Sequence, residues 1–121
     1  MKTMLIVDDD EVFLAALGQL LGMEGYVVHA TADGPQAIAI YAERRPDLVL
    51  LDIGLPSMSG IDVLRGIRML DPDAKVIVIT GYKSDELRRT VFQLGALDLL
   101  VKPVGPDLLR ETISAAINTA I

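Results

Sequence analysis

The 121-residue chain has no cysteine, no tryptophan and one histidine, and only 4% of its residues are aromatic. Without cysteine there can be no disulfide, no thiolate nucleophile and no Cys-ligated zinc. No apolar run approaches the roughly 20 residues needed to cross a bilayer. The first apolar run, Met4 to Val7, is interrupted by charged Asp8 to Glu11, which rules out a signal peptide there. A cytoplasmic location is the expectation. Basic residues are also scarce: 11 Lys and Arg against 17 Asp and Glu give a net charge of -6. They are scattered rather than striped, which argues against nucleic-acid binding by this domain and says nothing of any other domain in a longer protein. At 121 residues the chain suffices for one buried domain, residues 1–121, and not for two. The 51% hydrophobic content and mean hydropathy of +0.43 fit a sheet covered on both faces.

What is present is a set of short apolar runs with polar endings. Met4-Leu5-Ile6-Val7 leads into Asp8-Asp9-Asp10, and Leu48-Val49-Leu50-Leu51 into Asp52. Val76-Ile77-Val78-Ile79 stops at Thr80, and Leu99-Leu100-Val101 at Lys102-Pro103. Apolar runs of this length between helix-patterned segments read as buried parallel strands. The chain reads as strand then helix, five times over. Strands are expected at Thr3 to Val7, Tyr26 to Ala30 and the three later runs. Helices are expected from about Asp10 to Met23, from Pro35 to Arg44 and up to Leu70. A fourth helix is capped by Ser84 or Asp85 and closed by Gly95. A fifth is opened by Gly105-Pro106-Asp107, has Leu109, Ile113, Ala116 and Ala120 on one face, and runs to Ile121 without a stop signal. Pro46 blocks the second helix, Leu55 to Gly60 reads as loop, and Asp71-Pro72-Asp73 as a turn. Right-handed crossovers then permit an α/β, doubly wound (βα)5 fold with a five-stranded parallel sheet in the order 2-1-3-4-5.

In such sheets ligands bind outside the carboxyl ends of the strands. Strands 1, 3, 4 and 5 are contiguous, and strand 2, which ends blandly at Ala30-Thr31-Ala32, lies outside them. Neighbouring strands are about 4.8 Å apart, so Asp9 and Asp52 can ligate one cation, with Asp8 acting through water. Oxygen ligands, retained waters and a phosphate oxygen suit Mg²⁺. A charged helix entrance accounts for Asp10 and Glu11 but not for Asp52, because an unpaired buried charge is costly. A carboxylate can also act as a nucleophile and form an acyl phosphate. Lys102 would then supply a positive charge, and Thr80 a hydroxyl, to the phosphoryl oxygens.

Ile6-Val7-Asp8-Asp9-Asp10, Leu51-Asp52, Leu55-Pro56 with Met58 and Gly60, Thr80-Gly81, Gly95-Ala96 and Lys102-Pro103 together resemble the receiver domain of two-component response regulators, a flavodoxin-like fold. The resemblance covers essentially the whole chain. It implies a phosphorylation-dependent signalling switch in which Asp52 accepts a phosphoryl group from a phosphohistidine on a sensor histidine kinase or histidine phosphotransfer protein. It also implies Mg²⁺ held by Asp9, Asp52 and the backbone carbonyl of Gly54, with Asp8 assisting, and a cis peptide between Lys102 and Pro103. Its chemistry would be confined to phosphotransfer and dephosphorylation of itself, so the domain is not expected to be an enzyme. The responding surface would comprise helix 4, strand 5 and helix 5, which could also carry a homodimer. Neither a membrane nor nucleic acid is an expected partner.

Three positions outside that chemistry carry readings of their own. Leu99 stands three residues before the lysine, where receivers commonly have Tyr or Phe, so the usual inward-swinging ring is missing. Tyr82, two residues after Thr80, is close enough to influence access. His29, on the strand outside the site, reads as a surface residue. Helix 1 should turn Phe13, Leu14, Leu17, Leu20 and Leu21 inward and leave Val12, Ala15 and Ala16 outside. In helix 4, a buried stripe of Leu87, Val91 and Leu94 leaves Phe92 facing outward.

Rival readings are a pseudo-receiver that only binds, a haloacid-dehalogenase-like phosphatase and a flavodoxin-like cofactor protein. Every group of the phosphoryl chemistry is present, against the first. The second leaves Asp52 without a job and lacks an acidic pair after Lys102. The acidic first loop would repel an FMN phosphate, against the third.

Overall fold

The computed structural model describes residues 2–55 and 58–118. Along the chain the elements are β1 (Thr3–Val7), α1 (Glu11–Met23), β2 (Val27–Thr31), α2 (Gly34–Arg44), β3 (Leu48–Asp52), α3 (Gly60–Leu70), β4 (Val76–Thr80), α4 (Asp85–Gln93), β5 (Asp98–Val101) and α5 (Pro106–Ile117). All strand pairs are parallel, and the sheet order is β2-β1-β3-β4-β5, as the sequence leads one to expect.

Side chains alternate across a strand, so each apolar run feeds two cores. Leu5, Val7, Val49, Leu51, Val76 and Val78 pack on one face with Ala37, Tyr41, Val63, Leu64, Ile67 and Val91 of α2, α3 and α4. Met4, Ile6, Leu48, Leu50, Ile77 and Ile79 pack on the other with Leu17, Leu21, Leu109, Ile113 and Ala116 of α1 and α5. Helices cover both faces, which is why β3 and β4 are apolar at consecutive positions instead of alternating.

Helix starts follow local chemistry. Asp10, Asp33, Ser59 and Ser84 each accept hydrogen bonds at an N-cap, and Ser84 rather than Asp85 caps α4. Asp10 is therefore the cap of α1 and not its first residue, and α2 begins one residue earlier than expected because Asp33 caps it. Gly95 ends α4 at φ +97°, a conformation that side-chain-bearing residues rarely adopt.

β2 lies one residue later than expected. Tyr26 N donates to Leu21 O within the turn that ends α1, so sheet pairing begins at Val27, opposite Thr3. At the other end Thr31 still pairs with Val7. His29 is half-buried on this edge strand. α5 ends at Ile117, whose carbonyl accepts from Lys75 Nζ at 3.0 Å, and Asn118 forms a turn. The expectations for Ala120, Ile121 and the Pro56-Ser57 part of the loop lie outside the described residues.

Leu17 and Leu21 are the fully buried pair of α1, while Phe13, Leu14 and Leu20 are partly buried and Val12 is 79% exposed. In α4 only Val91 is fully buried, Leu87 and Leu94 pack at its margin, and Phe92 faces outward. Among the described residues no helix is long and apolar enough to cross a membrane.

Candidate functional site

The carboxyl ends of β1, β3, β4 and β5 converge on one edge of the sheet. Asp8 follows β1, and its backbone N donates to Thr31 O at 3.1 Å, which extends the β1–β2 ladder by one residue. The chain then folds back: Asp8 Oδ1 accepts from Asp10 N at 2.9 Å, while Asp10 Oδ1 accepts from Val12 N and Phe13 N, each at 3.1 Å. The first Asp is thereby directed inward and the third is used up as a helix cap. Asp9 lies between them, exposed.

Asp52 is the last residue of β3 and is only 8% exposed; its Oδ1 accepts from Gly54 N at 3.0 Å. Lys102 N donates to Thr80 O at 2.7 Å, carrying the β4–β5 ladder to the lysine, and the Lys102–Pro103 peptide is cis. The Lys102 ammonium sits 2.7 Å from Asp8 Oδ2 and 3.5 Å from Asp52 Oδ2.

One carboxylate oxygen each from Asp8, Asp9 and Asp52 lie within 4.8 Å of one another. Three acids so close, two of them buried, with one ammonium among them, are short of positive charge. Burial pushes the Asp52 carboxyl above its ordinary range, and the Asp8 charge adds to this; the Gly54 N–H and the Lys102 charge oppose it. Burial works against the charged form of Lys102, yet the hydrogen bond to Asp8 and the pull of Asp52 more than offset it, so its pKa is raised. The donor set is all oxygen, partly buried and open on the Asp9 side, which fits a hard divalent cation with retained waters.

The Thr80 hydroxyl, on a residue 1% exposed, donates to Tyr82 O and accepts from Tyr82 N, both at a long 3.4 Å. These contacts are at the limit for hydrogen bonds, so a better acceptor can recruit the hydroxyl cheaply. The Tyr82 side chain is 58% exposed, and its backbone, not its ring, meets Thr80. Leu99 is buried in the core beside α3 and α4, opposite Val78. Together with Lys83, Ser84, Asp85, Arg88 and Val101 it lines a cavity of about 160 Å³ between α4 and β5.

Two contacts were not legible in the sequence. Asp8 is paired directly with the lysine, which the spacing of 94 residues conceals. Phe13, expected only as a core residue of the first helix, places its ring centroid 4.6 Å from the Lys102 ammonium. Its position in the first helical turn after the acidic run was the available signal.

Residues 4–114 match the response regulator receiver domain family. Sporulation initiation phosphotransferase F of Bacillus subtilis is 36% identical over 112 residues, covering 93% of this chain and 90% of that protein. Other curated relatives are longer, and the chain spans 32% of one and 54% of another. A CheY-like receiver domain protein from Methanospirillum hungatei superposes with a TM-score of 0.94 at 36% identity, over 98% of this chain and 94% of that one. CheY from Borrelia burgdorferi, solved with CheX, BeF3 and Mg²⁺, gives 0.86 at 33% identity, over 94% of this chain and 88% of that one. The chain thus belongs to the response regulator receiver domain family, the phosphorylation-dependent switches of two-component signalling.

Proposed function

We propose that Asp52 is the phosphoacceptor of this switch, taking its phosphoryl group from a phosphohistidine on a histidine kinase or phosphotransfer protein. The observation that carries the reading is the buried Asp52 carboxylate at a strand end, 3.5 Å from an ammonium and within reach of two further carboxylates. An Asp52 oxygen attacks phosphorus; the P–N bond breaks and its electron pair stays on the imidazole nitrogen. Lys102 exchanges part of its contact with Asp8 for a phosphoryl oxygen and so offsets charge gathered there. Asp9, Asp52 and the Gly54 carbonyl would hold Mg²⁺, with Asp8 acting through water. When bound, the ion supplies charge neutralisation at the phosphoryl oxygens. Acceptance and later hydrolysis are chemistry on the domain itself, which makes it a switch and not a catalyst for other substrates.

Labelling should therefore depend on the metal. Incubation with acetyl phosphate should add one phosphoryl group by mass with Mg²⁺ present and none with a chelator. Asp9→Ala should weaken Mg²⁺ binding more than Asp8→Ala, because Asp9 is a direct ligand and Asp8 is already engaged by Lys102. Equal Mg²⁺ titrations for Asp9→Ala and the unmodified protein would reject the ligand assignment.

The output reading rests on Thr80. Drawn toward a phosphoryl oxygen, its hydroxyl leaves the Tyr82 backbone, and the element that moves with it is the loop Gly81-Tyr82-Lys83 leading into α4. Leu99 has no ring to swing, so the response passes through this loop to the α4, β5 and α5 surface, which includes Phe92 with the Arg88 guanidinium 5.1 Å over its ring. That surface is where a target or a second copy of the chain would dock. Beryllofluoride with Mg²⁺ should shift amide resonances from Thr80 through Leu94, and Thr80→Ala should suppress most of the change. Shifts confined to the acidic cluster would exclude the route.

A further inference from the structure

We propose that Phe13 is a positioning residue for phosphoryl transfer, its ring packed against the Lys102 ammonium that the two carboxylates also hold. This rests on the reading of Asp52 as phosphoacceptor and adds a part that the acidic and basic residues do not supply.

Three groups surround the ammonium: Asp8 Oδ2 at 2.7 Å, Asp52 Oδ2 at 3.5 Å and the Phe13 ring centroid at 4.6 Å. The last is well inside the distance at which an aromatic face attracts a cation. The ring is itself held in place. Phe13 N donates to Asp10 Oδ1 at 3.1 Å, so the helix start that follows the metal-site acids also fixes the Cα that carries the ring. Behind it, Phe13 shares an apolar groove with Leu17, Val104 and Leu109.

A core role alone does not account for the arrangement. Leu17 and Leu21 already bury α1 against the sheet, whereas Phe13 is only partly buried and lies one turn earlier, over the edge from which Lys102 emerges. An aliphatic side chain would fill the groove equally well. Only an aromatic one presents a negative face to an ammonium.

The cap has work to do during the reaction. A lysine side chain is flexible and its ammonium strongly hydrated, so one that gives up part of its contact with Asp8 can drift into water. A ring against the ammonium keeps it at the sheet edge and displaces water from the face it covers. The contribution belongs to the transition state, where Lys102 is shared with the phosphoryl group, so it should act on kcat more than on KM.

The test compares Phe13→Leu, which keeps an apolar side chain and removes the face, with Phe13→Tyr, which keeps the face. In the metal-free, unphosphorylated protein, the Lys102 Hε protons should resonate upfield in wild type and Phe13→Tyr and return to ordinary lysine positions in Phe13→Leu. With phosphoramidate and Mg²⁺, Phe13→Leu should lower kcat for Asp52 labelling by about fivefold, with KM changed less than about twofold, and Phe13→Tyr should restore the rate. Unchanged Lys102 shifts in Phe13→Leu, a wild-type labelling rate in Phe13→Leu, or a failure of Phe13→Tyr to restore it overturns the role of Phe13 alone. Absence of any labelling in the wild-type protein overturns the Asp52 assignment instead.

Discussion

Lys102→Met should destabilise the metal-free protein by about 3 kcal/mol near neutral pH, because it leaves two buried carboxylates without their cation. The Asp8 and Asp52 side chains are 2% and 10% exposed, and Lys102 is the only ammonium or guanidinium in an ion pair with either among the described residues. The pH dependence follows from the directions of the shifts. Lys102 has a raised pKa in the fold, so its contribution is fully present below its unfolded value and is lost as pH rises through the folded one. Asp52 is also raised, so its stabilising contribution belongs to the protonated form and is lost as pH rises through its folded pKa. Removing Lys102 takes away an attraction that held the Asp52 shift in check. The deficit of Lys102→Met should therefore narrow as pH is lowered from neutral toward the carboxylate range, and also when Mg²⁺ is added at neutral pH. Urea unfolding under these conditions measures it, and an unchanged midpoint at neutral pH contradicts the pairing. The same variant should lose at least about 100-fold in the rate of phosphoryl transfer, as expected when a charge aimed at the developing transition state is removed.

Gly60→Ala should be the most disruptive single-methyl substitution near the site. A Cβ at Gly60 would lie 2.4 Å from Ile53 Cα, 2.7 Å from Asp52 O and 2.9 Å from Ile53 O, all of them backbone atoms. Backbone cannot rotate aside as a side chain can, so either the start of α3 or the turn after β3 must move. The hydrogen bond from Gly60 N to Ile53 O at 3.0 Å ties these two segments together and passes the shift to Asp52. A cost of about 3 kcal/mol is expected, a fall in Tm of about 10 °C for a domain of this size, together with slower labelling of Asp52. Gly18→Ala is the matching control: a Cβ there meets nothing within 4 Å, and inside a helix alanine should raise stability by up to about 1 kcal/mol. If Gly60→Ala melted with the wild-type protein, the close approach of α3 to the β3 turn would be wrong.

The sheet was legible because its central strands are buried on both faces. Leu48 to Leu51 and Val76 to Ile79 can hardly be anything else, and their register then brings Asp52, Thr80 and Lys102 to one edge. β2 was less well placed, because Tyr26 belongs by its hydrogen bond to Leu21 to the end of α1, in the cap that Gly25 closes at φ +93°, and its aromatic side chain reads equally as the start of the strand. At the site, sequence brought together the right groups but could not apportion their contacts. Whether Asp8 or Asp9 meets the lysine depends on how Asp10 caps α1, which turns Asp8 inward. The contact of the Phe13 ring was hidden for a similar reason, although its place in the first helical turn after the acidic run was a signal. Its periodicity assigns it to the core, and the lysine that meets its face comes from the far end of the chain, carried to the same sheet edge by the pairing of β5 with β4.

Intact-mass spectrometry after incubation with acetyl phosphate and Mg²⁺ decides whether this chain is phosphorylated on a single carboxylate. The unmodified protein should gain the mass of a single phosphoryl group, Asp10→Asn should gain it almost as well because Asp10 serves only as a helix cap, and Asp52→Asn should gain nothing. Stoichiometric labelling that persists in Asp52→Asn would rule out Asp52 as the phosphoacceptor.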